Sequence, residues 1–543
     1  MRSSLIVFAV LFASSSTLAQ HPHQMPVDSR PVTLMSGLGR LHHPVSTKNP
    51  EAQKFFEQGL LLLYAFNHAE SIRSFQRAAE LDPDLAMAQW GIALALGPNI
   101  NSDVDPAREK AAFEAVQKAQ TIKAPLPERA YIEALAKRYS GEPNADLRKL
   151  SIDYHGAMRQ LIKSYPDDLD AATLYAESGM DLRPWKLWSK DGSPAEGTEE
   201  LISVLESVLR RNPEHVGANH YYIHVVEASR HPEWAIPSAD RLTRTVKTAG
   251  HLVHMPSHIY MRVGEYELAA SSNKDAAKVD REYIEANNIK GMYAAGYYSH
   301  NLHFLAIANS MQGRFLEALT ASDQLSDNVK PYLTDIPSLE SFLPTSALVL
   351  VRFRKWDELL KTPQPPQQLL LTTGIWHWSR AMAYAAKGQK QSAQSERELF
   401  RGIAVKLPKD TEWGLNHAVD IFAVASKVLD AKLDVANGDT GKAITELTEA
   451  VALEDAFAYD EPPAWFLPTR ESLGGVLLRA GKFEEAEQVF RADLERNSRN
   501  PRSLFGLVES LKAQNKNDSV QMVQSEFDQA WKNADVKLND SDL

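Results

Sequence analysis

The sequence predicts an all-α fold, a solenoid of stacked antiparallel helix pairs, on three observations. Small and aromatic residues return with a 34-residue period, apolar residues recur at helical spacing along the chain, and no segment shows the alternation of a half-buried strand. The composition agrees: 543 residues, 44% hydrophobic and 24% charged, suit a globular chain and exclude collagen-like or disordered classes. Seventy acidic against 59 basic side chains, a net charge of −11 without long charge blocks, argue against a nucleic-acid partner. With no cysteine, disulfides and thiolate ligands or nucleophiles are excluded.

The first element is a targeting signal. Arg2, an apolar run from Leu5 to Phe12 and the small-residue stretch ending Thr17-Leu18-Ala19 read as a secretory signal over 1–19, cleaved near Ala19. The run is shorter than the ~20 residues that span a bilayer, and no later segment reaches that length, so a periplasmic or secreted protein without stable membrane insertion is expected. An extended Pro- and His-containing arm follows over 20–50, in which His42 and His43 are expected to be structural or solvated, as is His68 beyond it.

Repeats then begin. From Ala52 to Leu85, Gly59, Ser71, Phe75, Ala78 and Pro83 occupy offsets 8, 20, 24, 27 and 32 of a 34-residue unit. Further copies show as glycine, aromatic, alanine at Gly264-Tyr266-Ala269, Gly313-Phe315-Ala318 and Gly481-Phe483-Ala486, with weaker ones around Gly388 and Gly438. One helical hairpin cannot bury its own apolar face, so such units stack into a continuous core. The pattern resembles the tetratricopeptide repeat (TPR), which implies a TPR α-solenoid with a concave groove for protein or peptide partners. Runs such as GANHYYIHVVEAS, GHLVHMPSHIYMRVGEY and YDEPPAW resemble those of exported bacterial TPR proteins, a likeness that implies no particular reaction.

The expected organisation is N-terminal repeats over 51–168, histidine-rich repeats over 169–335, C-terminal repeats over 336–534 and a frayed tail over 535–543. Two insertions interrupt the middle. The stretch from Gly179 to Gly197 holds Trp185 and Trp188 among prolines and glycines, and a second, from Tyr283 to Tyr298, carries Gly291 and Gly296 among tyrosines. Either could cover a site. Tyr221, Tyr222, Tyr260 and the Tyr297-Tyr298 pair read as packing residues, and YDEPPAW at 459–465 as a rigid elbow.

Nine of the 17 histidines fall between His215 and His303, where an even spread would put about three. In register, His220 and His224 stand at offsets 5 and 9 of a unit starting at Val216, and His254 and His258 repeat them 34 positions on. His251 and His300 stand at offset 2 of their units, His303 at offset 5 and Glu227 at offset 12. The TPR resemblance implies that these offsets line the concave groove. Helical geometry separately puts i, i+4 and i+7 on one face, and helices packed ~8–10 Å apart let such stripes converge. Imidazoles with a carboxylate and no sulfur suit a transition metal, zinc, copper or iron, and not calcium or magnesium. The expected metal set is His220, His224, His254 and His258, with Glu227, His251, His300 and His303 as further ligands or hydrogen-bond partners of ligands, one or two ions being open. Glu177 and Asp181 are candidate added carboxylates.

Three functions fit: a metal-binding scaffold for a protein or peptide ligand, a metal-dependent hydrolase or oxidoreductase using the same histidines, and a metal-free peptide-binding scaffold. Glycine-rich nucleotide loops, H-E-x-x-H and G-x-S-x-G do not occur in usable contexts.

Overall fold

The structure, a computed structural model, describes residues 30–543, so the expected signal and the arm up to residue 29 lie outside the described residues. The chain is an all-α solenoid of antiparallel helix pairs. The helix Pro50–Tyr64 starts on Asn49, whose side chain accepts the N–H groups of Glu51 and Ala52, with Pro50 at the position where no N–H is needed. Its partner His68–Leu81 is capped by Asn67. Between them the Phe75 ring seats where a Cβ on Gly59 or Gly91 would lie 2.7 or 2.5 Å from it, so the small residues of the repeat are what lets three helices touch. Phe490 repeats this against Gly474 and Gly506.

The recurring glycine of the sequence pattern has a backbone cause. Gly264, Gly313, Gly388, Gly438 and Gly481 all sit in the left-handed region, φ +72 to +87°, at the turn joining the two helices of a pair. In the first repeat that place is taken by Phe66, φ +54°, a conformation costing a non-glycine residue roughly 1–2 kcal/mol.

Among the described residues, strand pairing is confined to a two-residue ribbon, Glu412–Trp413 against Asn416–His417, and two isolated bridges. No described helix is long and apolar enough to cross a membrane. The tail expected to fray is instead docked. The Asp535 carboxylate accepts the Phe315 and Leu316 N–H groups at 2.9 and 3.1 Å, and Arg502 donates to the Asp542 carbonyl at 2.6 Å. Free N–H groups at the start of the helix Phe315–Val329 attract a carboxylate, which the polar composition of the tail did not reveal.

The stack also closes on itself. The first helix packs against Val216–Val226, where the Tyr64 ring lies 2.6 Å from a Cβ placed on Gly217. Tyr266 donates to the Ser498 carbonyl at 2.9 Å, and Arg352 pairs with Glu471 at 3.2 Å, bringing the C-terminal repeats back to the middle ones.

Closure buries acids. Glu454, whose carboxylate accepts the Thr469 N–H at 2.9 Å, is pushed up to about 7 by burial. Its folded pKa exceeds the ordinary 4.5, so its favourable contribution is full below pH 4.5 and is lost as pH rises through 7. Glu454→Gln is expected to flatten the fall in melting temperature over that window, removing at most about 3 kcal/mol of pH dependence. An unchanged profile would show that the group does not titrate there.

Candidate metal centre

Three helical segments carry the histidines. Val216–Val226 presents His220 and His224 and ends at Glu227. The next first helix runs as Gly250–His254 and Pro256–Arg262 and presents His251, His254 and His258. Tyr298–Met311 presents His300 and His303. The expected register holds: six of the seven imidazoles form two groups, His220 with His224 and His251, and His254 with His258 and His300. Within each group one ligand atom per residue lies within 4.8 Å of the others. Ring centroids across the groups are 5.8 Å apart for His224 and His258 and 5.9 Å for His251 and His254.

His303, read from the sequence as a member, faces elsewhere. Its ring packs edge-on against Phe342 at 5.2 Å, and burial lowers its pKa to about 4. Glu177 and Asp181 are also set apart, Asp181 pairing with Arg138 at 2.6 Å and Glu177 bonding to Asp181. His68 is fixed by the Ala95 carbonyl and Asn99, and His43 by Asp170.

The hydrogen bonds settle which nitrogen carries the proton on four rings. His220 Nδ1 meets the Tyr64 carbonyl at 2.7 Å, and a carbonyl can only accept. His254 Nδ1 meets Asn273 Oδ1 at 2.6 Å, and that amide is oriented by its NH₂ donating to the Ala269 carbonyl. His224 Nδ1 and His258 Nδ1 meet the two oxygens of Glu227 at 2.7 and 2.5 Å. Each Nδ1 therefore donates, and in the neutral form of each ring the lone pair is on Nε2, turned into the cluster. This is how metal-binding histidines are oriented: the outer N–H is held so that the inner nitrogen is a base.

Two consequences follow inside. His254 Nε2 and His258 Nε2 face each other at 2.8 Å, a repulsive arrangement unless a proton or a cation lies between them. In the metal-free chain the proton belongs to His258: burial opposes its charge, but the charge and hydrogen bond of Glu227, with Glu461 beyond, outweigh burial and raise its pKa above 6.5. In the other group His220 Nε2 lies 3.1 Å from His251 Nε2, while His224 Nε2 and His251 Nδ1 are buried without a partner. Burial first, then neighbouring imidazoles, hold His220, His251, His254 and His300 well below 6.5, so these rings are neutral as ligands require. An ion with metal–nitrogen bonds of 2.0–2.1 Å sets tetrahedral neighbours at ~3.3 Å, so the pairs at 2.8 and 3.1 Å need part by only a few tenths.

The rings do not line an open groove, as the repeat offsets had suggested. His220 and His254 are 0% exposed and Glu227 1%. Both insertions supply part of the cover: Trp185 stands edge-on to His224 at 5.7 Å, with Trp188 anchored to the Val225 carbonyl, and Tyr297 stands edge-on to His251 at 5.1 Å. Phe66, from its strained turn, stacks on His251 at 5.1 Å and on His224 at 5.9 Å. From the segment read as an elbow, Tyr459 reaches Glu227 at 3.3 Å and Glu461 at 3.1 Å. Burial pushes Glu461 up to about 7, and one of its oxygens has no partner. Tyr64, Phe66, Asn273, Tyr459 and Glu461 are the site residues that sequence reasoning missed.

No known family pattern matches the chain, and no curated protein is similar to it in sequence. Solved structures match at low identity. Yeast Tom70 matches at 13% identity over 88% of this chain and 97% of its own, with a TM-score of 0.30. The P58(IPK) TPR domain matches at 15% identity over 86% and 99%, TM-score 0.22, and the human IFIT1 dimer with m7Gppp-AAAA at 11% over 90% and 91%, TM-score 0.33. Overlaps this loose say nothing about the histidines.

Proposed function

We propose that this chain is an exported TPR protein that holds a transition metal inside its middle repeats, through His220, His224 and His251 and through His254, His258 and His300. Glu227 serves as the outer hydrogen-bond partner of both groups. The observation that carries this reading is the set of four Nε2 lone pairs turned inward by four outer acceptors. Nitrogen ligation without sulfur suits zinc, copper or iron, and export is supported by the signal-like first 19 residues. The solenoid around the centre serves as a scaffold for a protein or peptide ligand. A metal-free, histidine-lined peptide groove fits less well, because a peptide cannot touch rings that are buried.

A second reading is favoured by the enclosure: a metal under Trp185, Tyr297 and Phe66, beside the Tyr459–Glu461 pair, is placed for metal-dependent hydrolysis or oxidation of a small substrate.

The test is elemental analysis of the tag-free mature protein beside a His220/His224/His254/His258 quadruple alanine variant, with circular dichroism on both. Stoichiometric metal in the wild type, lost in a variant that keeps its helicity, is the expected result. Equal substoichiometric metal in both would overturn the reading.

A further inference from the structure

The geometry points to two metal ions in this chamber, one on each histidine triad, coupled through the single carboxylate of Glu227. This inference rests on the metal reading above and goes beyond it in number and arrangement.

Three features carry it. First, the ligand atoms form two groups, each drawn from two successive repeats, and each group supplies the three nitrogens that a four-coordinate site with one open position needs. Second, Glu227 is shared between the two triads. Its Oε1 holds His224 Nδ1 at 2.7 Å and its Oε2 holds His258 Nδ1 at 2.5 Å, one ring from each triad. A carboxylate spent in this way is an outer bridge, and its backbone carbonyl is in turn fixed by Arg262 at 2.5 Å.

Third, the outer bonds are duplicated. The first triad has the Tyr64 carbonyl for His220 and Glu227 for His224, and the second has Asn273 for His254 and Glu227 for His258. Each triad thus has two outer acceptors, Glu227 being common to both. The chamber also supplies two carboxylates for the charge of two ions, since Tyr459 links Glu227 to the buried Glu461. The 34-residue repeat explains the duplication: the same offsets on consecutive repeats place the same ligands one helix pair apart, and His251 and His300 at offset 2 complete one triad each.

The probe is zinc on the chelator-stripped full mature chain, read by equilibrium dialysis and elemental analysis, with cobalt substituted in parallel to report nitrogen ligation by its visible spectrum. The wild type is expected to bind two ions. His224→Ala and His300→Ala are each expected to keep one, from opposite triads, and Glu227→Gln is expected to weaken both about 10- to 100-fold. His300, the less buried ring, gives a variant that folds if His224→Ala does not. One tightly held ion in the wild type, or both ions retained in either histidine variant, would overturn the two-ion centre while leaving a metal site. No bound ion in the wild type would instead overturn the metal reading itself.

Discussion

Phe75→Ala is expected to cost about 3–5 kcal/mol of stability, read as a shift of the urea unfolding midpoint at unchanged slope. The ring is fully buried, with Phe56 at 5.4 Å between centroids and the Gly59 and Gly91 backbones against its edge. Truncation removes its transfer energy and leaves a cavity, and glycines have no side chains with which to fill it. Only helix movement could close the gap. The helix that would move, Pro50–Tyr64, ends in the turn carrying Phe66 and holds the carbonyl that orients His220, so metal affinity should fall with stability although residue 75 touches no ligand. A loss below about 1 kcal/mol would mean the first repeat collapses without strain.

The second large effect is expected at Asp170, a buried carboxylate outside the histidine cluster. It accepts from Tyr64 Oη at 2.6 Å and His43 Nδ1 at 2.8 Å, and His215 Nε2 lies 3.2 Å away. His215 Nδ1 accepts the Ala218 N–H, so its proton is on the nitrogen facing Asp170. Removing the acid leaves the Tyr64 and His43 donors without their acceptor and takes the carboxylate from beside His215, and Asp170→Ala is expected to cost about 3–5 kcal/mol.

Burial alone would raise the Asp170 pKa, but the two histidines hold it well below 3.8. Its contribution is therefore present above pH 3.8 and lost as pH falls through its folded value. For His43 burial works downward and is outweighed by the Asp170 bond and nearby carboxylates, so its pKa is raised above 6.5; that contribution is full below 6.5 and lost as pH rises through the folded value. The arm carrying His43 should resist proteolysis best between these limits and become susceptible above them, and in Asp170→Ala at every pH. Equal resistance of variant and wild type would show that other contacts hold the arm.

Much of the fold was legible because the packing of a repeated helix pair writes itself locally: Gly59 and Phe75 meet within one hairpin, and the turn glycines need φ that other residues avoid. The clustering of the histidines was legible for a related reason, since side chains on consecutive first helices meet where they share an offset. His303 shared one and still pointed away, because its helix presents that ring to Phe342. What was not legible came from far along the chain. Tyr64, Tyr459 and Glu461 reach the site by closure of the stack, and no local pattern marks a carbonyl as the partner of an imidazole 156 residues on. Asn273 did leave a trace: it stands at the offset that holds Phe75 in the first repeat and Phe490 in the last, a polar residue where packing calls for an aromatic ring.

An ideal repeat array unfolds like a zipper, each unit answering only to its neighbours, so its ends fray and can be trimmed. This chain has given up that freedom. Tyr64 is bonded to His220, and Tyr459 to Glu227 across 232 residues, so neither end can open without uncovering the middle. Removing repeats from either terminus is therefore expected to destabilise the middle ones as well.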